Sequence, residues 1–309
     1  MRLIHLNPPV NRVTFEGKNY FIKRDDLISD EFSGNKARKF YSLFDRNLRE
    51  RETIISRGSI QSNAMFSLSV LAKAKGVKFI YYAHHLLPHL LKSPKGNLKK
   101  ALENGMELRE KSFSSREEFF EFAKGEFGEE ILVIDEGGRD KIAREGVHLL
   151  AKEIELWADK EPKFNRKVFL PSGTGTTALF LQEYFVKEKS DIEVFTAPCV
   201  GGKDYLIEQF GYLIKDKKFY PKVLEPPKRY RFGKLYLEFY KVWLELQKQT
   251  KIEFDLLYDS LGWIVVNRHQ KLFGDGSLYI HQGGIFGNET MIKRYQDKFN
   301  LGEEFDKDF

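Results

Sequence analysis

Between residues 53 and 196 short apolar runs alternate with longer runs at helical spacing, and nothing else in the chain restricts its fold so strongly. Residues 53–56, 79–83, 106–108, 131–134, 167–170 and 193–196 read as strands. Residues 63–75, 115–124, 142–157 and 177–186 read as the helices between them, the third carrying Val147, Leu150, Ala151 and Ile154 on one face. A short apolar strand that must cross over through a helix pairs most readily in parallel, so the expectation is an α/β protein with mainly parallel sheets. Before this region, residues 19–23 read as a further strand. The stretch 219–267, rich in Tyr, Phe, Lys and Glu, gives no clear period.

A chain of 309 residues with 41% hydrophobic content can bury a sizeable core and is long enough for two domains. The best compositional boundary is Lys160-Glu161-Pro162-Lys163-Phe164-Asn165. The net charge of +6 comes from 51 basic and 45 acidic residues that interleave, as at 46–52 and 215–218. Interleaving makes a solvated surface rather than a phosphate-tracking stripe, which argues against nucleic acid as a partner, while an anionic cofactor or substrate would suit a locally basic cleft. The lone Cys199 allows no disulfide within the chain and points to a reducing compartment. The stretch 1–9 lacks the apolar run of a signal peptide and no segment reads as a membrane span, so a cytoplasmic protein is expected.

Ser33-Gly34-Asn35-Lys36 opens a helix whose apolar face is Phe40, Leu43, Phe44 and Leu48, with Gly34 as breaker and Asn35 as cap. Lys36 then lies in the first turn, where the helix already carries partial positive charge. Such a lysine is either solvated or kept for chemistry, because neighbouring positive charge favours the neutral, nucleophilic amine that forms Schiff bases. Ser59-Ile60-Gln61-Ser62-Asn63 joins a strand to a helix; Ser62 or Asn63 caps that helix, and the same donors could hold a carboxylate. Pro171-Ser172-Gly173-Thr174-Gly175-Thr176-Thr177 follows a strand and opens another helix, a pattern that lets amides and hydroxyls converge on a phosphate. The run 173–178 also satisfies the dinucleotide fingerprint, but the acidic partner, Glu193, falls at the start of its strand rather than the end. Pro88 argues against one helix carrying both His85 and His89, so no metal is expected.

Taken with Tyr20-Phe21-Ile22-Lys23-Arg24-Asp25-Asp26-Leu27, these stretches resemble the fold-type II pyridoxal-phosphate enzymes. Within that group the similarity is to the 1-aminocyclopropane-1-carboxylate (ACC) deaminase and D-cysteine desulfhydrase family, whose spaced lysine pair is matched by Lys36 and Lys39. The patches run in the family's order from about Asn19 to about Gly287. The resemblance implies a tryptophan-synthase-β-like fold of two open twisted sheets. A larger cofactor-binding domain would span 1–50 and 161–309, and a smaller inserted domain 51–160.

It further implies that Lys36 carries pyridoxal 5′-phosphate and acts with Ser62 and Tyr258 as the catalytic set. Lys39, Asn63, Gly173, Thr174, Gly175, Thr176, Thr177 and Asp259 would bind the cofactor, Asp259 at its ring nitrogen. Gln61, Ser62, Asn63 and Phe232 would face a small amino-acid substrate, releasing ammonia and a 2-oxo acid, in a homodimer. The chain departs from the family at Leu256, where the family has proline, at Ser260-Leu261 in place of Gly-Lys, at Gln282 in the Gly-rich turn after His281, and at Phe232, where relatives carry a tyrosine that a small shift could restore through Tyr230. A polar turn would also explain Asp259. A nicotinamide-dependent oxidoreductase using 173–178, and a relative that binds the cofactor without catalysis, are the alternatives.

Overall fold

The structure is a computed structural model that describes residues 5–46, 48, 52–86 and 88–301. Most of the charge run 46–52, Leu87, the His89 side chain and the first four residues of the stretch 1–9 lie outside the described residues.

Ten strands form two sheets: β1 (Val10–Phe15), β2 (Lys18–Arg24), β3 (Thr53–Gly58), β4 (Lys78–Ala83), β5 (Glu107–Glu110), β6 (Ile131–Ile134), β7 (Lys167–Ser172), β8 (Glu193–Pro198), β9 (Lys222–Val223) and β10 (Ser277–His281). The larger sheet runs β1-β2-β10-β7-β8-β9, and the smaller β5-β4-β3-β6. Every pairing is parallel except β1 with β2, which are joined by the tight turn Glu16-Gly17, both residues at positive φ. The fold class expected from the alternation is therefore the one found. Because β10 sits between β2 and β7, the larger sheet draws on both ends of the chain.

The parallel strands are covered on both faces, and neighbouring residues enter different cores. Phe169 and Tyr279 join one core with Phe239, Trp243 and Trp263, while Val168, Leu170, Leu278 and Ile280 join another with Val147, Leu150 and Leu179. In the smaller sheet Ile54, Phe79 and Tyr81 pack with Met65 and Leu68, and Ile55, Ile80 and Tyr82 pack with Phe119.

Packing differs from the expected partition at two places. Helix Ala143–Ala158 buries its apolar face on the larger sheet, and Ala37, Phe40 and Leu43 of the lysine region pack with the smaller one. The compositional break at 160–165 marks a loop held by Asn165 N–H on the Gly276 carbonyl (3.0 Å). Helices Leu237–Thr250, Asp259–Arg268 and Asn288–Phe299 supply the unread face of the larger sheet.

Candidate active site

The carboxyl ends of β3, β6, β7, β8 and β10 converge on one cavity of about 210 Å³, the place where open parallel sheets leave room for a ligand. All the residues marked out by sequence line it: Lys36 and Lys39 from one helix, Gln61, Ser62 and Asn63 after β3, the loop Gly173 to Thr177 after β7, and Phe232, Tyr258 and Asp259 from the far side.

Lys36 is the third residue of helix Gly34–Lys39, whose N-cap position is Ser33 rather than Asn35. Gly34 acts through close approach rather than as a breaker. A Cβ there would fall 2.0 Å from the Asp25 carbonyl oxygen. Gly283, at positive φ, likewise leaves no room for a Cβ against the Gly34 nitrogen. The same helix is pinned by Arg38, which sequence reading passed over. Its buried guanidinium bridges Asp25 (2.9 and 3.1 Å) and Glu153 (2.7 Å), and Glu153 also pairs with Lys23 (2.9 Å). Asp26, the other half of the acidic pair, holds Arg24.

The Lys36 amine donates to Asn35 Oδ1 (3.2 Å). Burial lowers its pKa from 10.5 to about 8, against the opposing pull of Asp255. Lys39 is pushed well below its ordinary value, by burial first and then by Lys36 and Arg139. Its Nζ donates to the Gly137 carbonyl (2.9 Å), and among the described residues it makes no ion pair.

Across the cavity, helix Thr176–Lys187 begins with no side-chain cap, leaving its first amides free to face a ligand. The buried Thr177 hydroxyl has no partner among the described residues. Ser62 caps helix Asn63–Lys75, accepting from Ala64 N–H (3.1 Å) and Met65 N–H (3.4 Å). Asn97, unnoticed in the sequence, is buried and donates to the Gln61 carbonyl (2.9 Å) and to Asn63 Oδ1 (2.8 Å). This turns the Asn63 amide nitrogen away from Asn97.

Asp259 is fully buried, with Oδ1 accepting from the Tyr279 hydroxyl (2.6 Å) and Oδ2 from Asp255 N–H (3.0 Å). Burial and the neighbouring Asp255 carboxylate raise its pKa well above the usual range. Asp255 itself, a lining residue absent from the expected set, is pushed up to about 7 by burial, although it accepts from the amides of Leu257 and Tyr258 and faces Lys36. Tyr258 keeps its proton, because burial and Asp255 raise its pKa. Glu136, Tyr205 and Gln282 also line the cavity.

Phe232 stands at the cavity with its ring 5.3 Å from that of Tyr258, half exposed. Tyr230 packs instead on Tyr236 and Phe239 and is not among the residues that line the cavity. His281 is wholly buried, stacked on Phe254; it accepts from Gly283 N–H at Nδ1 and so donates from Nε2 to the Glu253 carbonyl. Glu193 lies at the opposite, amino end of β8, paired with Lys222. His84 contacts Ser112, and His85 pairs with Glu110.

The fold, two parallel-rich α/β sheets flanked by helices, is one that solved enzyme structures share. A solved structure described as an ACC deaminase homologue superposes with a TM-score of 0.77 at 24% identity, covering 96% of this chain and 95% of that one. The T.th. threonine deaminase gives 0.65 at 15% (90% and 92% covered), and O-ureido-L-serine synthase 0.71 at 12% (96% and 94%). No protein-family model matches the chain. In sequence the chain is similar to provisionally named ACC deaminases of two organisms. That of Pyrococcus horikoshii is 27% identical over 289 residues, 88% of this chain and 86% of the relative. That of Thermotoga maritima is 27% identical over 301 residues, 90% and 92%. The resemblance read from the motifs thus extends over most of the chain.

Proposed function

We propose that the protein is a pyridoxal-phosphate-dependent deaminase or lyase of the ACC deaminase and D-cysteine desulfhydrase kind, acting on a small amino acid and releasing ammonia and a 2-oxo acid. The observation that carries this reading is Lys36, a buried amine with its pKa lowered to about 8, facing a loop built for an anion. The residues fit the cofactor. Among the described residues, Thr177 offers a buried hydroxyl with no partner, and Lys39 is a buried cation source without a carboxylate.

When bound, the cofactor supplies an electrophilic aldehyde and an electron sink for negative charge at the substrate Cα. The chain does the rest. Lys36 holds the cofactor through its amine and then moves the proton at Cα, a task suited to an amine partly neutral near pH 8. Gly173 to Thr177 and Lys39 would hold the phosphate, and the Ser62 hydroxyl hydrogen with the Asn63 N–H would hold the substrate carboxylate, since Ser62 Oγ already caps the next two amides. Asp259, fixed by Tyr279, would be the partner of the cofactor's ring nitrogen. Tyr258 supplies a phenol at the cavity wall beside Gly173.

Phe232 in place of a tyrosine leaves a site poorer in acid–base groups. Losing a thiolate from Cβ asks only for the Cα proton to move, whereas opening a strained ring asks for more, so D-cysteine or a related β-substituted amino acid should turn over faster than ACC. The test is to load the full chain with pyridoxal phosphate, reduce with borohydride and map the peptides. The reduced bond is expected on Lys36, and its absence or another site overturns the reading. Keto-acid release from D-cysteine and ACC then checks the substrate order: faster release from ACC reverses it, and none from either leaves a cofactor binder without catalysis.

A further inference from the structure

We infer that Gln282, where this chain departs from the family turn, is a positioning residue for Lys36, acting through Asn35. The argument is one of hydrogen-bond direction. Gln282 Nε2 lies 2.7 Å from the Pro171 carbonyl oxygen, which can only accept. That fixes which end of the Gln282 amide is nitrogen and leaves Oε1 toward Asn35. Oε1 sits 3.3 Å from Asn35 Nδ2, so Asn35 must donate there. Asn35 Oδ1 is thereby turned toward Lys36, whose amine donates to it at 3.2 Å, with the Ser33 hydroxyl at the same distance. The Gln282 backbone carbonyl takes the Asn35 N–H as well (2.9 Å). A single backbone carbonyl on β7 therefore sets the polarity of a chain that ends on the reactive amine. The threonine or leucine of the family turn could not relay it.

Other groups bear on the same amine. Asp255 faces it from the opposite wall and Lys39 lies one turn along the helix. Both are unchanged when Gln282 is altered, so the contribution through Asn35 can be isolated by a double-mutant cycle. An acceptor at Lys36 favours the ammonium. Once Gln282 is gone, Asn35 is free to turn its NH₂ toward Lys36, and the proton leaves more readily.

The inference rests on the proposed role of Lys36, but its readout needs no cofactor. Full-length protein, freed of carbonyl compounds with hydroxylamine, is pulsed with trace acetic anhydride across pH 6–11, and acetylation of Lys36 is quantified by mass spectrometry. Gln282→Met is expected to lower the Lys36 midpoint by about 0.5–1 pH unit, a roughly three- to tenfold change in the proton equilibrium. In an Asn35→Ala background the same substitution should leave the midpoint unmoved. An equal shift in both backgrounds, or a loss of thermal stability with no shift in either, overturns the inference. If Gln282→Met does not fold, Gln282→Thr, the family residue, carries the same expectation. Failure of borohydride trapping on Lys36 would sink the proposed function and leave this cycle readable.

Discussion

Replacing Lys36 by methionine is expected to stabilise the cofactor-free protein at neutral pH, because the wild-type chain holds an ammonium where burial disfavours it. The pKa falls from 10.5 to about 8, a displacement of about 2.5 pH units that already includes the attraction of Asp255. At 1.36 kcal/mol per unit this amounts to about 3 kcal/mol. Between pH 8 and 10.5 the unfolded chain binds more protons at this residue than the folded one, so its contribution to stability rises with pH through that window. Below pH 8 the full cost is present, and above 10.5 it is gone. Methionine is of similar length and leaves no ammonium to desolvate. For a chain of 309 residues, 3 kcal/mol corresponds to about 5 °C in Tm. Thermal unfolding of both cofactor-free proteins at pH 7 and pH 10.5 measures it. The variant should melt higher at pH 7, with the gap closed at pH 10.5, other titrating groups cancelling in the comparison. A variant no more stable at pH 7, or one with the same gain at both values, would refute the account of Lys36 as a strained buried cation.

Two further expectations concern the anion loop and the cavity mouth. Lys39→Met should raise the dissociation constant for pyridoxal phosphate about 10- to 100-fold, the worth of one charge-assisted hydrogen bond, without removing the bond to Lys36; an unchanged constant in a fluorescence titration takes Lys39 out of the phosphate site. Because burial, Lys36 and Arg139 depress the Lys39 pKa, binding the anion should draw in a proton, visible by calorimetry in buffers of differing ionisation heat and lost in the variant. Phe232→Tyr restores a hydroxyl beside Tyr258 and should raise ACC turnover relative to D-cysteine by about tenfold or more. An unchanged ratio would mean that the hydroxyl does not limit ring opening.

Much of the fold was legible because its strands are short apolar runs between helices of clear period. The helix Asn63–Lys75 and the strand Ile131–Ile134 fall where the spacing puts them. Helix Leu237–Thr250 was not legible, since aromatic residues bury on one face while Lys241 and Lys248 interrupt the pattern on the other. Strand Ser277–His281 was hidden for a different reason. All five of its residues are buried, so it shows no alternation, and the Gly-rich turn after it dominates the reading. Many cavity residues could be named from motifs, but Glu136, Tyr205 and Asp255 and the supports of the site could not. Arg38, Glu153, Asn97 and Tyr279 act across 13 to 115 positions of sequence, and no local pattern marks them.

The departures from the family pattern read differently once their contacts are known. Leu256 replaces a proline, and its N–H donates to Asn288 Oδ1 (2.9 Å), a bond that proline cannot make. Leu261 lies in the core beside Trp263 and Val265, away from the cavity wall. Gln282 ties Asn35 to the end of β7. Each of these three exchanges is accommodated by contacts within the scaffold. Phe232 alone changes a group facing the cavity without compensation from Tyr230. The residues proposed to hold and move a proton at Cα line one cavity with Lys36, while Phe232 brings no hydroxyl to its mouth. The proposed elimination would need only the first of these, whereas ring opening would need both.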